Sequence, residues 1–412
     1  MTAAGEVAEV FRTQWPRLVA VLRADLGDLD LAEDAAQHAF AAAVDRWPAT
    51  GVPDAPGAWL LTVARNRIID QARRDVRWAR REDDVRAALE LPQRTRGAVE
   101  DDVLAMIFGC CHRALDEAAR IALTLRYVVG LPTSAIAASF LVPEATMAKR
   151  LVRAKKKVAA TRIPFEVPDR EHLAGSLHEV LRIVYVIYTQ GHAAATGELI
   201  RVDLCEEARW LAGNLCELLP REPETWGLAA LLAFTDARRP ARLDPEGEIV
   251  LLADQDRSRW DSGTIAQGRE LLARALLLRR VGPYQLQAAI AAAHADAADF
   301  DATDWRTIRR LYAVLGRLEP SPIVRLNEAV AASLSEGPDV GLSLVAPLAA
   351  PLDGYHYFHL SRADMLARAG DRDAARTAFD RALELCDSEA ERRAIHRVAA
   401  TRLGDSVADA AD

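Results

Sequence analysis

The chain has 412 residues, half of them hydrophobic, with 27% charged, 6% aromatic and a net charge of −8. This length predicts two or three domains with substantial cores, and the Ala- and Leu-rich, aromatic-poor composition favours helix over sheet. The charge is uneven: residues 1–162 hold 24 Lys+Arg against 21 Asp+Glu, and the remainder holds 28 against 39, which excludes a protein that coats nucleic acid uniformly along its length.

Five cysteines (Cys110, Cys111, Cys205, Cys216, Cys386) show no framework spacing, so reduced thiols and a cytoplasmic protein are expected. The start of the chain carries Glu6, Glu9 and Arg12 and does not read as a signal peptide. The longest apolar run, near residue 180, is interrupted by Arg182 and is too short to cross a bilayer, so no membrane partner is expected.

In chain order, residues 6–75 predict three or four helices. Val7, Val10, Phe11, Trp15, Leu18, Val19 and Leu22 recur at helical spacing. A second helix is expected over Leu29–Trp47, ended by Pro48, and the stretch 48–57 reads as a loop with three prolines and two glycines. A basic helix follows from Ala58. Residues 76–98 are charged and poorly periodic and read as a linker. Residues 99–162 form a second helical unit, and the segment with Pro164 and Pro168 reads as another linker. From residue 171 to about 402 helix follows helix. There Val330–Ala346, with a turn at Gly337, echoes Ala363–Phe379, with a turn at Gly370, at a period of 33 residues. That spacing, with small residues and Gly-Asp at the turn, suits tetratricopeptide-like helix pairs.

Two stretches carry the functional reading. Leu131–Phe140 predicts a short helix with Ile136 and Ala137 inward, Leu141-Val142-Pro143 a turn, and the residues from Glu144 a second helix buried through Met147 and Leu151. Thr146, Lys149, Arg150 and Arg153 then project outward, with Lys155, Lys156 and Lys157 further along. This is a helix-turn-helix whose second helix suits the major groove, its lysines meeting phosphates. The stretch 56–81 sets Arg65, Arg67, Arg73, Arg74, Arg77, Arg80 and Arg81 against Asp70, Asp75 and Glu82, with Trp59 and Trp78 at its flanks. Basic residues beside aromatics suit single-stranded or melting DNA. A solvated amphipathic helix gives the same pattern.

Together these stretches resemble a bacterial RNA polymerase sigma factor of the sigma-70 family, extracytoplasmic-function type. Asp30–Pro48 is similar to the helix of region 2.2, Trp59–Arg74 resembles regions 2.3 and 2.4, and residues 116–158 look like region 4. The resemblance spans residues 6–160 in the family's order, with no room for a region 3 in the linker. It implies that Asp30, Glu33, Asp34, Gln37 and Phe40 meet the β′ coiled coil of core polymerase. It implies that Trp59, Arg65, Asn66, Arg67, Asp70, Arg73 and Arg74 hold the −10 element, with the loop 48–57 as the base-capturing loop. It further implies that Thr146, Lys149, Arg150, Arg153, Lys155, Lys156 and Lys157 face the −35 element, and that the β flap is a second polymerase contact. Where many relatives carry Lys-Ser in the recognition helix, this chain has Ala148-Lys149.

Residues 171–400 are similar to the subgroup with a long helical C-terminal extension that modulates sigma activity, and the +3/−11 charge split suggests an intramolecular contact between it and the sigma domains. Two DNA grips joined to one polymerase multiply through effective concentration, so the sigma factor alone should bind DNA poorly. The alternative is a helix-turn-helix regulator with a ligand- or protein-sensing repeat domain. Asp254, Asp256, Arg257, Arg259 and Asp261 around Trp260 suit either a ligand pocket or, more simply, an ion-paired loop. His356 and His359 share a helical face, but two ligands are too few for a metal, and Cys110-Cys111-His112 reads as packing. No phosphate loop, catalytic triad or zinc-protease helix is present. An all-α protein, not an enzyme, with no cofactor and no metal, is therefore expected.

Overall fold

The computed structural model describes residues 3–74, 96–140, 142–192 and 202–404. Among them the regular structure is helical, and the chain divides into two compact units, residues 1–191 and 192–412. The arginines at 77, 80 and 81, Trp78 and most of the expected linker lie outside the described residues, as do the side chains of Arg73 and Arg74.

The first unit is built around α1 (Ala3–Leu26), whose Trp15, Leu18, Val19 and Leu22 are buried against α2 (Leu29–Thr50) and α3 (Pro56–Arg74). Asp28 starts α2 by accepting the backbone N–H groups of Asp30 (2.8 Å) and Leu31 (3.2 Å), which otherwise lack helical partners. Pro48 does not end α2 as the sequence suggested. It sits in the last turn, where it forfeits one helical bond, and the helix closes at Gly51, which has φ 78° and donates to Trp47 O (2.8 Å). The inter-helix loop is correspondingly shorter than expected.

α4 (Arg96–Cys110) and α5 (Glu117–Leu123) follow, and α5 runs directly into a π-helical turn, Thr124–Val129. This wider turn ends at Gly130, whose φ is 89°. A Cβ there would sit 2.8 Å from the Trp15 indole, so glycine is required both by the backbone and by the ring packed on it. Trp15 Nε1 donates to Tyr127 O (3.2 Å), joining α1 to the π turn. Next come α6 (Thr133–Ser139) and α7 (Glu144–Thr161), in the helix-turn-helix order that the sequence predicts. α8 (Arg170–His192), expected to open the extension, falls within the first unit down to Gly191. Its Glu179 pairs with Arg120, and its Arg182 pairs with Glu117 (2.6 Å).

The second unit contains α9 (Val202–Leu218), α10 (Pro223–Ala237), α11 (Ser262–Leu277), α12 (Pro283–Asp296), α13 (Trp305–Leu318), α14 (Pro322–Glu336), α15 (Pro338–Val345), α16 (His356–Ala369), α17 (Arg372–Leu385) and α18 (Glu389–Leu403). α10 is buried on nearly every face, the pattern of a central core helix rather than an amphipathic surface one. It packs closely because it is small at contact points: a Cβ on Gly227 would lie 2.7 Å from the Gln285 backbone N. Glu224 reaches the start of α12, accepting from the backbone N–H groups of Tyr284 (2.9 Å) and Gln285 (3.1 Å). The 33-residue echo corresponds to two helical hairpins, α14–α15 turning at Gly337 and α16–α17 turning at Gly370, both with positive φ.

The acidic-basic cluster around Trp260 serves the fold. Arg238 and Arg257 lie over its ring, at 5.4 and 5.0 Å from the centroid. Arg257 also donates to His294 O, Ala297 O (2.9 Å) and Thr303 Oγ1 (3.0 Å). Asp256 and Asp261 start the helical turns that follow them, accepting from Ser258 N (2.9 Å) and Thr264 N (2.5 Å). The cluster is thus held by cation–π contacts, hydrogen bonds to carbonyls and helix caps rather than by the ion pairs of the simpler sequence reading. Asp254 alone of the group lines a groove of about 600 Å³, whose other walls come from Phe300, Leu334, Met365, Arg368 and Arg402.

Candidate nucleic-acid and polymerase interface

α6 and α7 form the helix-turn-helix from a simple division of faces. Ile136 and Ala137 of α6, and Met147, Leu151 and Ala154 of α7, are buried at helical spacing. The opposite side of α7 exposes Thr146, Lys149, Arg153, Lys156 and Lys157. Arg150 is half-buried, its guanidinium 5.1 Å from the Phe140 ring centroid, so part of its side chain braces the turn. Lys155 is half-buried as well and pairs with Asp30 of α2.

α2 does not present its five expected residues as one accessible face. Asp34 and Gln37 are exposed, and Asp30 is exposed but bonded to Lys155. Phe40 belongs to the core, 5% exposed, 4.8 Å from Phe11 and 6.0 Å from Trp15 between ring centroids. Its helical position puts it inward, where a large apolar ring is most stable. Glu33 is also buried, held by Arg126 of the π turn and by Gln37 Nε2 (2.9 Å). Burial raises the Glu33 pKa above the ordinary carboxylate value, and Arg126 opposes that rise.

α3 divides in the same way. Asn66 and Asp70 are exposed and Arg67 is half-exposed. Trp59 is half-buried and packs on Trp47, 5.3 Å between centroids. Arg65 pairs with Asp25 (3.1 Å), whose side chain is fully buried, so this guanidinium ties α3 to α1 and is not turned outward as a DNA contact.

Sequence reasoning missed Asp25, Arg126 and the Tyr127 carbonyl. Arg126 carries a legible signal, being the single charge inside the apolar run Leu123–Val129. The partner on α2 cannot be read from that run. His356 and His359 also part company: His359 Nε2 lies 2.7 Å from Asp353 O, and His356 turns toward Cys386 and Glu391.

Comparison with known proteins falls on the same elements. Residues 10–78 match the family described as Sigma-70 region 2, and residues 105–158 match Sigma-70, region 4. Residues 176–276 match a family of unknown function, DUF6596. An uncharacterised protein of Rhizobium meliloti (strain 1021) is 43% identical over 399 residues, covering 95% of this chain and 94% of its own length.

The chain belongs to the sigma-70 family.

Region 2 of this sigma-70 protein is thus the α1–α3 bundle, and region 4 includes the π turn and the α6–α7 helix-turn-helix. The matched sigma-70 domains are non-catalytic and give the chain a role in transcription initiation, for which core RNA polymerase and promoter DNA are the family's partners. Among the described residues no helix is long and apolar enough to cross a membrane.

Proposed function

We propose that this chain is a sigma factor of the extracytoplasmic-function type that acts in the cytoplasm. It brings core polymerase to promoters, reads the −35 element through α7, opens the −10 element through α3, and is modulated by its own helical extension. The single observation that carries the reading is the division of α7: an apolar side buried on α6 and an outward side of Thr146, Lys149, Arg153, Lys156 and Lys157. Such a helix offers hydrogen-bonding groups at its N-terminal end for base edges and ammonium groups beyond them for phosphates.

On this reading residues 6–75 bind polymerase and the −10 element, and residues 99–162 bind the −35 element and the β flap. Asp34 and Gln37 are the accessible part of the polymerase face, with Asn66 and Arg67 beside the melted strand. The Lys155–Asp30 and Arg126–Glu33 pairs turn the two grips toward each other. Engaging polymerase and promoter together then requires those pairs to open, which gives the extension an equilibrium to bias. The α14–α15 and α16–α17 hairpins serve as its tetratricopeptide-like repeats. The groove of about 600 Å³ in the second unit supports a sensing role for the extension, in which a bound small molecule or peptide sets that bias.

In vitro transcription with core polymerase on the chain's own upstream DNA tests the proposal. Full-length protein is compared with a truncation ending at Gly191, since a cut at Arg162 would remove Glu179 and Arg182, the partners of Arg120 and Glu117. Initiation that differs between the two forms supports modulation by the extension. Equal initiation removes the modulatory role, and failure of full-length protein to bind core polymerase removes the sigma reading.

A further inference from the structure

Three chemically distinct donors from separate parts of the second unit converge near the end of the chain. His356 opens α16, Cys386 closes α17, and Glu391 lies in the first turn of α18. His356 Nε2 is 3.7 Å from Glu391 Oε2, and Cys386 Sγ is 3.8 Å from the same oxygen. The three donor atoms all lie within 4.8 Å of one another. A tetrahedral zinc ion bonded at about 2.0–2.3 Å holds its donors about 3.3–3.8 Å apart. Two of the three separations therefore match already, and the remaining pair needs to close by about 1 Å or less.

The surroundings favour a cation over a purely hydrogen-bonded cluster. His356 Nε2 is sealed from solvent and has no hydrogen-bond partner, an arrangement that is costly for a ring nitrogen unless something pairs with it. Its 3.7 Å separation from the carboxylate is too long for a hydrogen bond. Glu391 is oriented from behind: Tyr357 donates its hydroxyl to Oε1 (2.5 Å), leaving Oε2 to face the imidazole and the thiol. Support of this kind from a second residue is characteristic of metal-binding carboxylates. The ring of His356 is itself packed on Tyr357, 4.1 Å between centroids, which fixes its direction.

We propose that His356, Cys386 and Glu391 form a binding site for a divalent cation of zinc type. The mixed nitrogen, sulfur and oxygen set suits zinc and disfavours magnesium and calcium, which take oxygen ligands. Binding forms Sγ–metal, Nε2–metal and Oε2–metal bonds and breaks the S–H bond of Cys386, whose proton leaves to solvent. A fourth position is left to water or to a group from a partner. Because the ligands come from α16, the α17 terminus and α18, the cation pins the last helix onto the hairpin before it. The pattern escaped the sequence, where His356 was paired by spacing with His359 and the other two donors lie 30 and 35 positions downstream.

Cobalt(II) titration of the full-length protein, freed of metal under reducing conditions, provides the test, because a cobalt–thiolate bond has its own charge-transfer absorption. One equivalent is expected to bind with that absorption. Cys386→Ser should abolish the band, and His356→Gln should weaken binding at least tenfold, with the far-ultraviolet circular dichroism unchanged. No thiolate band in the unaltered protein, or a band that persists in Cys386→Ser, overturns the site. Should either variant lose helicity, alkylation of the unaltered chain decides, read at Cys386 by mass spectrometry. Zinc is expected to slow labelling of that residue at least tenfold, and an unchanged rate overturns the proposal.

Discussion

Lys155 on α7 and Asp30 on α2 form an ion pair across 125 residues of chain. On the proposed function, one residue belongs to the helix that reads DNA and the other to the helix that meets polymerase. Both side chains retain water contact, so the pair is a weak clasp, with about 0.2–1 kcal/mol of coupling expected. A double-mutant cycle of Lys155→Ala and Asp30→Ala, followed by urea denaturation, should return coupling in that range. The coupling should shrink between low and high salt as the exposed charges are screened. Coupling that is zero at low salt would show that the two helices do not hold each other through this pair.

Arg126 and Glu33 behave differently because both are largely withdrawn from water. Removing Arg126 leaves a buried carboxylate without its counter-charge and also removes a hydrogen bond to Leu131 O (3.0 Å). Arg126→Ala should therefore destabilise the first unit by about 3 kcal/mol at neutral pH. Glu33 already has a raised pKa through burial, so its neutral form favours the folded state. The stability tied to that protonation is fully present below the unfolded value and is lost as pH rises through the folded value. Losing Arg126 lifts the folded value further, so the penalty of Arg126→Ala should shrink on acidification. Denaturant titrations at pH 4 and pH 7 would measure the difference, and Glu33→Gln in the same background should abolish it.

These two pairs mark how far the sequence could be read. The helix-turn-helix was legible because Met147, Leu151 and Ala154 fall on one side of α7 by local spacing alone. Phe40 and Glu33 were assigned outward by position in a family pattern, although Phe40 has the chemistry of a core residue and Glu33 has a buried partner in a distant π turn. Arg65 failed for the same reason: nothing local announces that Asp25 waits beneath it. Pro48 misled in the other direction, since a proline in a last turn costs one bond and need not stop the helix. Periodicity finds faces, and it is silent about which charge from elsewhere will cover them.

Gly130 and Gly370 separate backbone strain from packing. Both have positive φ, 89° and 92°, but a Cβ at Gly130 meets Trp15 at 2.8 Å, whereas nothing lies within 4 Å at Gly370. Gly370→Ala should cost about 1 kcal/mol from backbone strain alone, and Gly130→Ala about 2–4 kcal/mol because it also displaces the indole. Thermal or chemical unfolding of the two variants checks the order, and equal losses would mean that Trp15 yields freely.

His294 should make the second unit sensitive to acid. Burial first, and then the nearby charges of Arg238 and Arg257, lower its pKa to about 4. A histidine lowered in this way favours the folded state while neutral. Its contribution is fully present above the unfolded value of 6.5 and is lost as pH falls toward about 4. The unaltered protein should therefore lose about 2 kcal/mol more than His294→Phe between pH 7 and pH 4.5. Denaturation of both proteins at the two pH values reads that difference, and parallel losses would show that the imidazole does not titrate with folding.

The outward side of α7 predicts two kinds of DNA-binding defect in the polymerase complex. Lys156 and Lys157 lie far along the helix and are exposed, positions suited to phosphates. Lys156→Ala should weaken binding to all promoter sequences alike and reduce the salt slope of log K by about 1. Lys149, nearer the N-terminal end that the proposed function places in the groove, should act on sequence discrimination, with Lys149→Ala costing about 1–3 kcal/mol on the preferred −35 element and little on an altered one. Lys155 is the instructive intermediate, because its ammonium must leave Asp30 before it can reach a phosphate. Lys155→Ala should consequently cost less affinity than Lys156→Ala, and Asp30→Asn should raise the affinity of the isolated sigma factor for duplex DNA. Fluorescence anisotropy over a salt series measures all four variants, and a Lys155→Ala defect larger than that of Lys156→Ala would remove the clasp from the account of DNA binding.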